Sequence, residues 1–321
     1  MSETNFYESA AEHHPDFAAR LLPTFYGRLN LSTPEQKQAL LNQDPMSINA
    51  ALQAQEGTAQ ELLASKPEQF QTQPKGQVYG KKLETEHAIV LENITAGFVK
   101  PNTLDVKLGA RLWDDDARPE KRQRLDQVSM ETTSHELGFR IAGMRVWQPE
   151  EGGKSEDAQG QYKSYDKNYG RSFKPDNVRS GFEDFFFEGA PPQRKLTPLR
   201  RAVLEVCEAE VLDMEQQLEK LENRMYSASI LFVYEGDHNA LERALTAFED
   251  LQQKQGAEAS GGDEPTDEDE DSEDGEDMPK IHAVKLIDFA HAHWTPGQGP
   301  DENMLKGVRN VRTILRQILS T

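Results

Sequence analysis

The stretch PNTLDVKLG, residues 101–109, alternates apolar and polar side chains without a break. In an extended chain, successive side chains point to opposite faces. Leu104, Val106 and Leu108 therefore share a core-facing side, while Thr103, Asp105 and Lys107 share the other. An acid and a base two residues apart on one strand face form either a surface ion pair or part of a site. Four other short runs rich in Val, Ile, Leu and Phe read as strands: residues 86–94, 138–147, 227–235 and 281–290. Thr197 followed by Pro198 reads as a helix cap and first-turn proline. After it, Val203, Cys207, Val211, Met214, Leu218, Leu221 and Met225 recur at spacings of four and three. Cys207 lies on that stripe and is expected to be a buried structural residue. Leu305, Val308, Val311, Leu315 and Ile318 mark a closing amphipathic helix, so the chain is of the α+β class.

Two further strands carry polar groups that a core does not need. In IHAVKLIDF, residues 281–289, strand alternation puts Asp288 on the face of Val284 and Leu286. A carboxylate on a buried apolar face is costly unless paired. A strand ending in an acid just before Phe is also where a kinase-type fold holds magnesium on nucleotide phosphates. In MYSASILFVYEG, residues 225–236, Ser227 and Ser229 share a face at the strand start. Small hydroxyls there suit the close approach of a phosphate or of metal-bound water. His291 and His293 follow Asp288, but no further His or Cys cluster accompanies them to support zinc.

The segment RPEKRQRLDQV, residues 118–128, reads as a helix opened by Pro119. Lys121 and Arg124, three apart, are neighbours on its surface. With Arg145 and Lys167 they could line a cationic pocket for a ligand bearing several phosphates, because Lys and Arg bind phosphate through charge-assisted bonds. The alternatives are a solvated helix face and a nuclear-localisation patch.

The 321 residues carry a formal net charge of −20, but unevenly. From Asp263 to Asp277 there are eleven acids and no bases, so the rest of the chain carries −9. Such a block repels itself and buries nothing; a disordered insertion is expected over about 252–280. Residues 42–82, with a short helix near Ile48 to Leu63, and residues 148–168 read as polar loops. No run approaches the roughly 18 apolar residues of a spanning helix. The start, MSETNFYESAAEHH, lacks the basic head and apolar stretch of a secretory signal. A single cysteine suits a reducing compartment. No aromatic-and-basic stripe points to nucleic acid.

Taken together, PNTLDVKLG resembles the P-x-x-x-D-x-K-x-G signature of the inositol polyphosphate kinases. KLIDF resembles that family's I-D-F motif, SASILFVYEG its S-S-L-L strand, and LGFRIAGMRVW and NYGRSF further family segments in order. Ala228 stands where the family has the first serine of S-S-L-L, so that role is not carried over to Ser227. The resemblance implies a two-lobed, protein-kinase-like fold: an N-lobe over 1–95 and a C-lobe over 96–321, with an inositol-binding helix over about 112–135. ETNFYES resembles the helix carrying the kinase glutamate, here Glu3. The strands expected before it, with their ATP-binding lysine, have no counterpart, so the N-lobe reads as missing its first strands.

The resemblance also implies an ATP- and Mg2+-dependent kinase of inositol polyphosphates, of the multikinase type, with Lys107 and Asp288 as catalytic residues. Glu92 and Ile94 would meet adenine at a hinge, and Asp105 the ribose. Ser229 and Asp288 would hold magnesium. Lys107, Lys121, Arg124, Arg145, Lys167 and His291 would line the substrate site. Phosphoinositide headgroups, and basic regulatory proteins bound through the acidic loop, are further expected partners. The expected state is a monomer, with no transmembrane segment and no nucleic-acid partner, in nucleus and cytoplasm. An inositol hexakisphosphate kinase, or a non-catalytic scaffold that keeps the fold, are the competing readings.

Overall fold

A computed structural model describes residues 3–30, 87–149, 160–189, 193–248 and 280–321. The polar insertion at 42–82 lies outside the described residues. So does the acidic insertion at 252–280, apart from Lys280. The described chain is α+β and divides into two compact units.

The smaller unit spans residues 24–92. Its described part is an antiparallel pair, β1 (Phe25–Asn30) and β2 (His87–Leu91). The open end of the pair is tied by the Glu92 carboxylate, which accepts from the Thr24 amide and hydroxyl, both at 3.1 Å.

The larger unit comprises residues 1–23 and 93–321. Its centre is a five-stranded antiparallel sheet in the order β5-β4-β3-β7-β8. These are β3 (Pro101–Leu108), β4 (Phe139–Pro149), β5 (Gly160–Tyr165), β7 (Ser229–Glu235) and β8 (His282–Ile287). The alternation expected of residues 101–109 holds, since Leu104, Val106 and Leu108 are fully buried. The long helix α7 (Pro198–Leu218) packs against β8 and against the closing helix α8 (Glu302–Leu319), which also meets β3 and β4. Thr197 caps α7 through the Arg200 amide, and Cys207 is fully buried on the expected stripe. Burial pushes the Cys207 thiol far up, which keeps it inert.

Residues 1–23 form α1 (Glu3–His13) and α2 (Pro15–Leu21). They cluster with the larger unit and not with residues 24–92, unlike the expected division near residue 95. The physical reason is aromatic packing: Phe6 stacks on Phe289 at 4.8 Å and on Trp294 at 5.1 Å.

Several expected boundaries move. The helix stripe ends at Leu218; Leu221 lies beyond it, and Met225 belongs to β6 (Asn223–Met225), which pairs with β9 (Ala292–Trp294). The loop expected over 148–168 contains β5, a polar edge strand whose Tyr162 is covered by Arg145 at 3.7 Å and by Trp147 at 5.1 Å. The basic helix α3 spans Pro119–Glu131, shorter than 112–135. Three short helices complete the described elements used below: α4 (Ser134–Leu137), α5 (Lys167–Arg171) and α6 (Arg179–Phe186).

Candidate active site

β3 sits in the middle of the sheet, so residues from β4 and β7 flank its polar face. Across one ladder Lys107 lies opposite Ser229; across the other it lies opposite Arg140, while Asp105 faces Gly143 and Thr103 faces Arg145. Directly opposed residues share a sheet face. Ser229, Arg140 and Arg145 therefore belong to the same face as Asp105 and Lys107. An extra residue in β4 opposite Asp105 and Val106 makes a bulge, which lets the strand bend beside the site.

The Lys107 ammonium donates to Asp288 Oδ2 at 2.6 Å and to the Ser227 carbonyl at 3.0 Å. Strand periodicity puts Asp288 on the opposite, apolar face with Val284 and Leu286. The structure corrects this: β8 ends at Ile287, and Asp288 takes a left-handed backbone, φ +69°. That turn swings the carboxylate to the Lys107 side and leaves its side chain 52 % exposed. Ser227 is likewise left-handed, φ +61°, just before β7, and its hydroxyl donates to the Leu112 carbonyl. Ser227 and Ser229 thus do not share a strand face. Left-handed non-glycine residues cost about 1–3 kcal/mol each and persist where surrounding structure fixes them. Here the fixing contacts include the Phe289 amide, which donates to Glu3 Oε1 at 3.0 Å. Burial raises the Glu3 carboxyl, against the pull of that amide.

Ser229 is fully buried, and its hydroxyl lies 3.5 Å from Asp288 Oδ2. The Asp105 carboxyl is raised chiefly by burial, against the opposing pull of Lys107 and of the Ser229 hydroxyl. With one proton to give, the hydroxyl serves one carboxylate at a time. Asp105 Oδ1 is buried with no hydrogen-bond partner among the described residues. Gly109 closes the strand at φ +95°, where an added Cβ would lie 2.8 Å from Asn303 Nδ2. Glycine is required there by both conformation and space.

Of the substrate-site residues expected from sequence, the structure brings together Lys121 and His291, 3.1 Å apart. His291 Nδ1 also pairs with Asp114. Arg124 is exposed on α3, Lys167 is exposed at the start of α5, and Arg145 stacks on Tyr162. Those three make no hydrogen bond or ion pair to Lys121, His291 or Lys107 among the described residues. Of the two residues expected at a hinge, Glu92 closes the smaller unit and Ile94 is buried in the larger one.

Sequence reasoning missed Arg140, Arg171 and Asp114. Arg140 was legible in principle, as the polar residue between Phe139 and Ile141 in a run otherwise facing the core. The β4 bulge disguises which face it shares with Lys107.

A family model described as inositol polyphosphate kinase matches residues 88–316. The inositol polyphosphate multikinase of Saccharomyces cerevisiae is 34 % identical over 249 residues, 73 % of this chain and 69 % of that protein. The Schizosaccharomyces pombe multikinase is 32 % identical over 71 % of this chain and 67 % of its own length. Human inositol hexakisphosphate kinase 1 is 28 % identical over 72 % and 52 % respectively. Among solved structures, an inositol phosphate multikinase from S. cerevisiae in complex with ADP and Mn2+ aligns with TM-score 0.54 and 33 % identity, over 73 % of this chain and 84 % of that one. A second inositol phosphate multikinase structure shares the fold at TM-score 0.57 and 20 % identity, over 98 % and 99 % of the two chains.

Proposed function

The chain belongs to the inositol polyphosphate kinase family, and from that premise we propose that it transfers the γ-phosphate of ATP to hydroxyls of inositol polyphosphates, as a multikinase. The observation that carries the reading is the meeting of Asp105, Lys107, Ser229 and Asp288 on one sheet face around the 2.6 Å Lys107–Asp288 pair.

Phosphoryl transfer asks the protein chiefly for position and charge neutralisation. A substrate hydroxyl oxygen bonds to the γ-phosphorus in line, the bond to the β-phosphate oxygen breaks, ADP leaves, and the hydroxyl proton passes to solvent. Lys107 is mostly shielded from water, at 18 % side-chain exposure, so its charge acts on transferring oxygens with little screening. Asp105 supplies a buried acceptor without a donor among the described residues, a need that a ribose hydroxyl would meet. Lys121 and His291, with Asp114 behind His291, are assigned to substrate phosphates.

The half-exposed Asp288 oxygens are hard donors that suit Mg2+, which takes one or two protein carboxylates alongside phosphate oxygens and water. Ser229 lies behind and orients Asp288. An ion held by Asp288 would supply charge neutralisation at the nucleotide phosphates. The solved relative that contains ADP and Mn2+ supports nucleotide and divalent-metal use.

The test is product analysis after incubation with ATP, MgCl2 and, separately, inositol tris-, tetrakis- and hexakisphosphate. Substrate-dependent ADP release with matching new phosphate esters from the tris- or tetrakisphosphate is expected. Turnover of hexakisphosphate alone would move the assignment to the inositol hexakisphosphate kinases, relatives at 28–30 % identity. No substrate-dependent ADP release would overturn the reading.

A further inference from the structure

Arg140 and Arg171 flank the place where α5 packs on β4. The two elements touch so closely that a Cβ on Gly170 would sit 1.9 Å from the Ile141 carbonyl oxygen. Gly170 and Ile141 are the immediate neighbours of Arg171 and Arg140. Arg140 stands across the ladder from Lys107, so it projects from the face that carries the catalytic lysine. Its guanidinium has one hydrogen bond, from Nη1 to Ser134 Oγ at 3.1 Å, and among the described residues it has no ion pair. Arg171 is exposed at the end of α5, likewise without an ion pair among the described residues. The nearby acids of α6 are engaged elsewhere: Asp184 by Tyr169 and Arg194, and Glu183 by Arg179 and Arg194. Asp105 is the carboxylate whose charge Arg140 feels. Burial, and then the charge of Arg171, push the Arg140 guanidinium down to about 10, so it remains cationic at neutral pH.

The part-buried Arg140 guanidinium, beside a second guanidinium and without an ion pair among the described residues, is a costly arrangement unless an anion completes it. In a chain of net charge −20, cations left without acids mark a place for a ligand. The position also fixes the class of ligand. Arg145 lies on the same face of β4, opposite Thr103, and Lys167 precedes Arg171 by four residues, hence on the same side of α5. All four cations lie on the β4 side of Lys107, away from the Ser229–Asp288 side.

Resting on the kinase reading above, we propose that Arg140 and Arg171 form a phosphate subsite that holds a non-reacting phosphate of the inositol polyphosphate beside Lys107. It takes a phosphate monoester through the guanidinium fork, a geometry that lysine does not reproduce.

The test is isothermal titration of the full chain with inositol hexakisphosphate, without nucleotide, paired with steady-state kinetics on inositol tetrakisphosphate. Arg171→Gln, at an exposed position, is expected to keep the melting temperature and lower hexakisphosphate affinity roughly tenfold. It should raise KM for the tetrakisphosphate by a similar factor and leave KM for ATP unchanged. Arg171→Lys should recover part of the loss. Arg140→Lys, which keeps the charge beside Asp105 but loses the fork, should weaken binding in the same direction. Wild-type affinity in Arg171→Gln, or equal weakening toward ATP, overturns the subsite even if the enzyme is an active kinase. Conversely, lost hexakisphosphate binding in that variant, with no ATP-dependent turnover in the wild type, keeps the subsite and removes the kinase reading.

Discussion

At the scale of single residues, the site is built on an ion pair whose partners are 181 positions apart in the chain. Lys107→Ala removes the cation that the proposed chemistry needs, yet leaves behind an Asp288 side chain that is half in water. Turnover is therefore expected to fall by several orders of magnitude, while the melting temperature moves by only a degree or two. Single-turnover kinetics and calorimetry on the same sample check both parts, and wild-type-like kcat would remove Lys107 from the mechanism. Asp105 behaves differently because burial raises its carboxyl above the ordinary value of 3.8. The folded state then holds its proton to higher pH than the unfolded state does, so the ionised group opposes folding at neutral pH. That penalty fades as pH falls through the folded value and is gone below the unfolded one. Asp105→Asn should consequently raise the melting temperature at pH 7 and lose this advantage toward pH 4, while activity is lost. Thermal melts across that range decide it; an advantage that grows on acidification would contradict the burial argument. Asp105 and Lys107 were legible in the sequence because strand alternation is regular up to Gly109. Asp288 was assigned to the wrong face because a left-handed backbone interrupts the period, and no local signal marks a left-handed aspartate.

Elements place these residues, and the connection into β3 shows how. Glu235 ends β7 almost fully buried, and its carboxylate accepts three backbone amides: Val99 at 2.6 Å, Lys100 at 2.9 Å and Asp237 at 2.8 Å. A buried carboxylate so satisfied fixes the segment that runs from Ile94 into the strand of Asp105 and Lys107. Glu235→Ala orphans all three donors and should cost about 3 kcal/mol, at roughly 1 kcal/mol each. Glu235→Gln, which keeps an acceptor oxygen, should cost less. Denaturant titrations at constant slope give both numbers, and equal losses would mean that volume, not hydrogen bonding, is what Glu235 supplies. The strands with regular apolar patterns were readable to within a few residues, as was the helix opened by Thr197 and Pro198. β5 was not readable. It is a polar edge strand, Gly160–Tyr165, held by its ladder to β4 and by the contacts of Arg145 and Trp147 with Tyr162, and none of these shows as periodicity. The grouping of residues 1–23 with the larger unit was hidden for the same kind of reason, because Phe6 finds its partners 283 and 288 positions away.

For the whole molecule, the net charge of −20 opposes the approach of an anionic substrate, while the cations on the sheet face attract it. Which of these prevails depends on distance and salt. Short-range pairs in a partly buried site are weakly screened, whereas the general field falls off over about 8 Å at physiological ionic strength. Residues 263–277 carry more than half of the net charge and lie outside the segments that build the sheet. The strands on either side of that insertion, β7 and β8, are joined directly in register from Ser229 with Ile287 to Tyr234 with His282. Replacing residues 263–277 by an uncharged Gly-Ser linker of equal length should therefore leave the melting temperature and kcat unchanged and reduce the net charge to −9. At about 10 mM salt, where the screening length is roughly 30 Å, the replacement should raise kcat/KM for an inositol polyphosphate by weakening long-range repulsion. At 150 mM salt the difference should nearly vanish. A gain that persists at high salt would instead mean that the acidic segment competes directly for the cationic site, with Arg140, Arg171 and Lys121 as the groups it would cover.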